Sequence, residues 1–282
     1  MRLTSFTRNG QPGFGATLDD GLVDLTGKID GSATLQALLE RDGLAKAKDY
    51  VASRRPDFGL DAVRFLPVIP NPAKIICVGL NYVAHAAEAR AKVGEYPVIF
   101  HRYAESLTAH GAPLIRPKVS TQHDYEGELA VIMGKTGRHI PKDKAMDYVA
   151  GYACFNDSSI RDWQFHTNQY GMGKNFLATG GFGPWMVTTD DIPDYRVLKL
   201  ETYVSGERLQ EGHLSDLAFD VPTLINYVSE ALPWHPGDVL VTGTPAGVGF
   251  TRKPPRFLHQ GDVVQIKIDK IGTLENPVVD ET

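Results

Sequence analysis

Beyond the Pro-rich segment FLPVIPNPAK, where Pro67, Pro70 and Pro72 hold the backbone extended and block helix, the chain is a succession of short β runs. KIICVGL, PVIFHRY, GELAVIM, VAGYACF, PWMVTT, KLETYVSGERLQEG, DVLVTG and VVQIKIDKIGTL have the β-branched and apolar density of strands. A doubly wound parallel sheet needs a helix after nearly every strand, and that alternation is missing. What remains is a strand-dominated α+β architecture. Two hairpins are signalled, at Ser205-Gly206 and at Lys270-Ile271-Gly272. Helix is expected over NYVAHAAEARA and over VPTLINYVSEAL, where Val221, Leu224, Ile225 and Val228 recur at helical spacing, with a short turn around KDKAMDY. Residues 1–66 read as a small N-terminal accessory α/β domain, with strands RLTSF and FGATL, a turn at Asp20-Gly21 and helices TLQALLE and AKAKDYVAS. Residues 67–282 form the main domain.

Composition narrows the class of function. A formal net charge of −5 with no Lys/Arg cluster excludes a phosphate-neutralising nucleic-acid surface. No apolar run approaches the ~20 residues of a membrane span, and MRLTSFTRNG lacks the apolar core of a signal peptide, so a cytoplasmic protein is expected. The two cysteines, Cys77 and Cys154, sit in strand-like apolar runs and read as packing residues.

Glu126 and Glu128 stand i, i+2 in DYEGELAVIMGK, just before the alternating Leu129, Val131 and Met133, so on a strand both carboxylates project from one face. Asp157 ends VAGYACFND and can enter that face from a neighbouring strand. Carboxylates so placed raise one another's pKa, and a hard divalent cation, Mg²⁺ or Mn²⁺, resolves the conflict. The i, i+2 spacing equally suits the solvated face of an edge strand. His85 and Glu88 lie i, i+3 in NYVAHAAEARA, which puts them on one helix face, either as a surface pair or as an oriented general base. Arg161 and Gln164 follow Asp157 by four and seven residues, on one short helix if NDSSIRDWQ is helical with Asn156 or Asp157 as its cap. Lys174 sits between glycines in GMGKNF, a loop charge or an anion ligand. Gly243-Thr244-Pro245 reads as a plain turn or as one whose N–H groups and Thr244 hydroxyl face an oxyanion. Tyr82, Tyr125 and Tyr170 are read as core or rim residues.

Taken in order, VGLNYVAHAAE, DYEGELAVIMGK, NDSSIRDWQ, GKNF, GGFGPW, PGDVLVTGTPAGVG and IGTLENPV resemble the fumarylacetoacetate hydrolase family from about Pro70 to Val279. The resemblance implies that family's mixed β-sandwich roll with a metal in its mouth. It implies Glu126, Glu128 and Asp157 as metal ligands for Mg²⁺ or Mn²⁺, and His85 and Glu88 as the pair on a mobile lid helix that handles water or a proton. It also implies Lys174 as a catalytic cation, and Arg161, Gln164 and Thr244 as groups that hold a small-molecule 2-oxo acid. The expected activity is hydrolysis of a C–C bond in a 2,4-dioxo acid such as an acylpyruvate, fumarylpyruvate or diketo sugar acid, with the pyruvate enolate as leaving group. Alternatives are decarboxylation of an oxaloacetate-type acid, enol-keto isomerisation or a lyase reaction, and, from another class, a non-catalytic metal and small-ligand binder. The His/Glu pair argues against a pure isomerase. A homodimer is implied by the same resemblance.

Overall fold

The computed structural model describes residues 1–18 and 21–282; Asp20 of the expected turn lies outside the described residues. A long sheet runs in the order Gly21–Asp24, Gln11–Leu18, Arg2–Arg8, Gly180–Thr188, Val149–Asp157, Gly127–Met133, Val239–Val241, Ile75–Gly79, Val98–Arg102. Its pairings are antiparallel except Val239–Val241 with Ile75–Gly79 and the short strand Leu107–Thr108 with Gly180–Thr188. A second sheet stacks Glu207–His213, Lys199–Val204, Val263–Ile268, Gly272–Asp280 and Leu114–Arg116. The result is a strand-dominated α+β roll. Among the described residues no helix is long and apolar enough to cross a membrane.

Side-chain parity along the central strands explains how two packed layers and one site coexist. On Gly127–Met133 the odd residues Leu129, Val131 and Met133 join Leu200, Ile266 and Leu274 of the second sheet in one core. The even residues Ala130 and Ile132 join Leu3, Phe14, Leu35 and Leu38 on the opposite face. Each of the larger side chains among these, fully buried, contributes roughly 1.5–3 kcal/mol. Helices Leu35–Glu40, capped by the Thr34 hydroxyl on the Ala37 N–H at 3.1 Å, and Leu44–Val51 cover this second face. Strand Arg2–Arg8 pairs with Gly180–Thr188, Leu3 opposite Met186, so the proposed division at 66/67 crosses a continuous sheet.

Local signals in the sequence act as their chemistry requires. Ser205 and Gly206 both take positive φ, 50° and 87°, in the hairpin that sets Val204 opposite Glu207. Helix Val221–Ala231 begins on Asp220, whose carboxylate accepts from Thr223 N at 2.9 Å, and buries Val221, Leu224, Ile225 and Val228. KDKAMDY forms a 3₁₀ helix, Lys142–Tyr148. NYVAHAAEARA is helical only over Val83–Glu88. NDSSIRDWQ departs from expectation: Asp157 is the last residue of a strand, Ser159–Ile160 pair with His123–Asp124, and only Arg161–Gln164 is helical, with no side-chain cap. Asp157 does not cap because both its oxygens are taken by buried cations.

Candidate active site

The even parity that places Ala130 and Ile132 on one face continues backwards to Glu128 and Glu126. On the neighbouring strand Ala153 and Phe155 share that face with Asp157, and the register sets Gly127 opposite Asn156 and Glu128 opposite Phe155. The three carboxylates therefore meet where the two strands end. One oxygen from each lies within 4.8 Å of the others, and all three residues are buried. Between them Gly127 faces the second sheet; a Cβ there would stand 2.1 Å from Thr202 Oγ1, so only glycine lets the sheets close at this point.

Cations surround the cluster. Lys174, 1% exposed, donates to Glu126 Oε2 and Asp157 Oδ2, each at 2.6 Å, and to the Asp157 carbonyl at 2.9 Å. Arg161 Nε donates to Asp124 Oδ2 at 2.8 Å and its Nη1 to Gln164 Oε1 at 2.9 Å, while Nη2 stands 2.6 Å from Glu126 Oε1 without aligning as a hydrogen bond. Arg102 Nη1 donates to Asp157 Oδ1 at 2.7 Å. Burial works against the ionised form of Glu126, but Lys174, Arg161 and His85 outweigh it and bring its pKa down to about 2. Glu128 goes the other way. Burial, then Asp157 and Glu126, push its pKa well above the usual range, and its carboxylate accepts from Gly243 N at 2.6 Å. Burial likewise opposes the charge on Lys174, yet Asp157 and Glu126 raise its pKa overall, so it stays an ammonium.

An all-oxygen set in which one buried acid, Glu128, pairs with no cationic side chain among the described residues suits a hard divalent cation. Glu126, Glu128 and Asp157 are the residues that would hold it.

His85 lines a cavity of about 120 Å³ together with Glu126, Glu128, Arg161, Gln164, Lys174 and Thr244. Its Nδ1 is 2.9 Å from Glu88 Oε1, so Nδ1–H donates to the carboxylate and Nε2 keeps the free lone pair. Glu88 is fastened in turn: Gly247 N donates to both its oxygens at 3.0 Å and Thr251 Oγ1 to Oε2 at 3.2 Å. Partial burial raises the Glu88 pKa, but these bonds and His85 more than reverse it, leaving it below the ordinary glutamate value. A depressed carboxyl stabilises the fold above the ordinary range and loses that contribution as pH falls through its own lower value. Protection of the Gly247 amide, read by hydrogen exchange corrected for intrinsic rate, is therefore expected to persist through the usual glutamate range. Loss at or above that range would contradict the latch.

His85, Glu88, Glu126, Glu128, Asp157, Arg161, Gln164, Lys174 and Thr244 come together here, though some differ in detail. Lys174 is no mobile loop charge: it ends a short helix, Gly171–Lys174, with all three donors engaged. Gly243 N and the Thr244 hydroxyl, which donates to the Gly127 carbonyl at 2.9 Å, brace the Glu126–Glu128 segment and are not free for an oxyanion. Tyr82 and Tyr125 are core residues and Tyr170 borders the cavity. Sequence reasoning missed Arg102, Asp124 and Gln210. Asp124 had a signal, since it extends the i, i+2 series of Glu126 and Glu128 and accepts from Arg161, Gly249 N and Phe250 N. Gln210, which bridges the Gly127 N–H to Thr244, and Arg102 had none.

Comparison with known proteins places this geometry among relatives. The chain is 38% identical over 289 residues, 99% of its length and 90% of the relative's, to oxaloacetate tautomerase fahd2, mitochondrial, of Xenopus laevis. To oxaloacetate tautomerase YisK of Bacillus subtilis (strain 168) it is 42% identical over 225 residues, 78% of this chain and 75% of that one. Maleylpyruvate hydrolase from Sphingobium sp. SYK-6, solved in complex with manganese (II) ion and pyruvate, superposes with a TM-score of 0.84 over 100% of both chains at 28% identity. Residues 74–279, the stretch that carries the acidic cluster, its cations and the His85–Glu88 pair, match the model of the fumarylacetoacetate (FAA) hydrolase C-terminal, and the chain belongs to the fumarylacetoacetate hydrolase family.

Proposed function

We propose that this protein is a divalent-metal-dependent enzyme of small 2-oxo acids that interconverts the keto and enol forms of oxaloacetate. The observation that carries the reading is the His85–Glu88 pair, whose imidazole lines the same cavity as Glu126 and Glu128. A Mg²⁺ or Mn²⁺ held by Glu126, Glu128 and Asp157 would act as a Lewis acid toward the 2-oxo and carboxylate oxygens. The chain does the rest. Arg161 and Gln164 line the cavity, and His85, held as the Nδ1–H tautomer by Glu88, takes a proton from C3 through Nε2. Its imidazolium returns that proton to the 2-oxygen, so the net change is one proton moved from carbon to oxygen. The pair taken from sequence as an argument against an isomerase thus serves isomerisation equally well, and relatives at 38% and 42% identity carry the tautomerase name.

A second reading is C–C hydrolysis of an acylpyruvate, with the same pair activating water. It is favoured by the apolar wall of Leu80, Ala89, Phe165 and Phe250, which suits an acyl group better than a second carboxylate. Keto–enol exchange of oxaloacetate and pyruvate release from acetylpyruvate, each measured with EDTA and with excess Mn²⁺, test both. Exchange well above the uncatalysed rate with Mn²⁺, abolished by EDTA, is expected. Full activity in EDTA would sink the metal-dependent reading. Pyruvate release with no catalysed exchange would replace the first reading by the second.

A further inference from the structure

Four acids, Asp124, Glu126, Glu128 and Asp157, are buried together with three cations, Arg102, Arg161 and Lys174. Both oxygens of Glu126 and both of Asp157 already face a cation: Arg161 and Lys174 on the one, Arg102 and Lys174 on the other. The two arginines are tied down elsewhere. Arg161 is held by Asp124 and Gln164, and Arg102 by Ser106, the Ser158 carbonyl and Thr179. Of the three cations Lys174 alone spends every hydrogen bond on Glu126 and Asp157 and bridges their carboxylates; the Ser159 hydroxyl adds a neutral link from Glu126 Oε1 to the Asp157 carbonyl.

We propose that Lys174 is an internal competitor of the divalent cation, occupying Glu126 and Asp157 until the metal displaces its ammonium into the cavity that it already lines. This rests on the reading of Glu126, Glu128 and Asp157 as cation ligands. Charge balance supports it. Four carboxylates, two arginines and one divalent cation are neutral, whereas keeping Lys174 among them leaves a buried excess positive charge, which a low-dielectric interior disfavours. The displaced ammonium then faces the anionic substrate, so metal occupancy prepares acid binding. Until then apparent metal affinity is reduced to its intrinsic value times the fraction of molecules in which the lysine leaves the site free.

Isothermal titration of Mn²⁺ into EDTA-treated, desalted wild type and Lys174→Met is the test, together with their melting temperatures. Lys174→Met is expected to bind Mn²⁺ about tenfold more tightly or better, to melt lower without metal, and to gain more from Mn²⁺ than wild type does. Equal or weaker Mn²⁺ affinity in the variant would overturn the proposal while leaving the metal site intact. No Mn²⁺ binding by wild type would overturn both. If the variant does not fold, a wild-type crystal structure with Mn²⁺ decides. The Lys174 ammonium should have left hydrogen-bonding distance of Glu126 Oε2 or Asp157 Oδ2, and all its bonds unchanged would refute displacement.

Discussion

Glu128→Gln is expected to weaken Mn²⁺ binding more than about 100-fold and to cut turnover by on the order of 10²–10⁴, while raising the melting temperature of the metal-free protein. Outer partners of metal ligands are typically worth 10–100-fold in affinity, so a ligand itself exceeds that range, and the Lewis-acid contribution it supports is several kcal/mol, each 1.36 of which is tenfold in rate. The stability gain follows from the electrostatics. Glu128 is the buried acid that Lys174, Arg102 and Arg161 do not pair, and Asp157 and Glu126 crowd it. Glutamine keeps the shape and an oxygen for the Gly243 N–H but removes an acid whose ionised form the interior disfavours and whose protonation on folding costs stability at neutral pH. Function held at the expense of stability is the expected trade at a binding site. Titration calorimetry and thermal denaturation in EDTA check the two halves separately. Wild-type metal affinity would remove Glu128 from the ligand set, and a lower melting temperature would mean that its charge is compensated in a way the present contacts do not account for.

His85→Ala is expected to lower the proton-transfer activity by roughly the 10²–10⁴-fold typical of losing a general acid–base group, with Mn²⁺ affinity unchanged, since its imidazole touches Glu88 and not the carboxylate cluster. The comparison that matters is between substrates. If His85 moves protons in both reactions, oxaloacetate exchange and acetylpyruvate hydrolysis fall together. Water activation alone would spare exchange. Assays at saturating Mn²⁺ separate these outcomes, and unchanged rates for both substrates would take His85 out of the chemistry. Glu88→Gln should act in the same direction more weakly, because the glutamine oxygen can still accept the Nδ1–H but no longer stabilises an imidazolium by charge.

Much of this site is legible in the chain because its determinants are local. The i, i+2 spacing of Glu126 and Glu128 fixes their common face once the segment is a strand, and the apolar parity of Leu129, Val131 and Met133 makes it one. The i, i+3 spacing of His85 and Glu88 fixes their mutual contact once the segment is helical. Helix Val221–Ala231, both hairpins and the packing role of Cys77 and Cys154, which are buried and unpaired, follow from the same short-range rules.

What the chain does not disclose is long-range compensation of charge. Arg102 reaches Asp157 across 55 residues, Lys174 reaches Glu126 across 48, and Gly247 reaches Glu88 across 159. None of these pairings has a period or a spacing, because each is selected by the energy of burying an ion and not by the geometry of one element. The expectation of a helix from Asp157 failed for that reason: the carboxylate that would have capped it is claimed by Arg102 and Lys174. By itself the sequence determined the strand-dominated architecture and the local pairing of Glu126 with Glu128 and of His85 with Glu88, since periodicity and spacing suffice for these, whereas a metal and a 2-oxo acid entered only through the resemblance to the family. Only the tertiary structure decided that Glu128 lacks a cationic partner, that Lys174 stands between Glu126 and Asp157, and that Glu88 is latched to the Gly247–Thr251 loop, because those depend on which distant charges folding brings to one point.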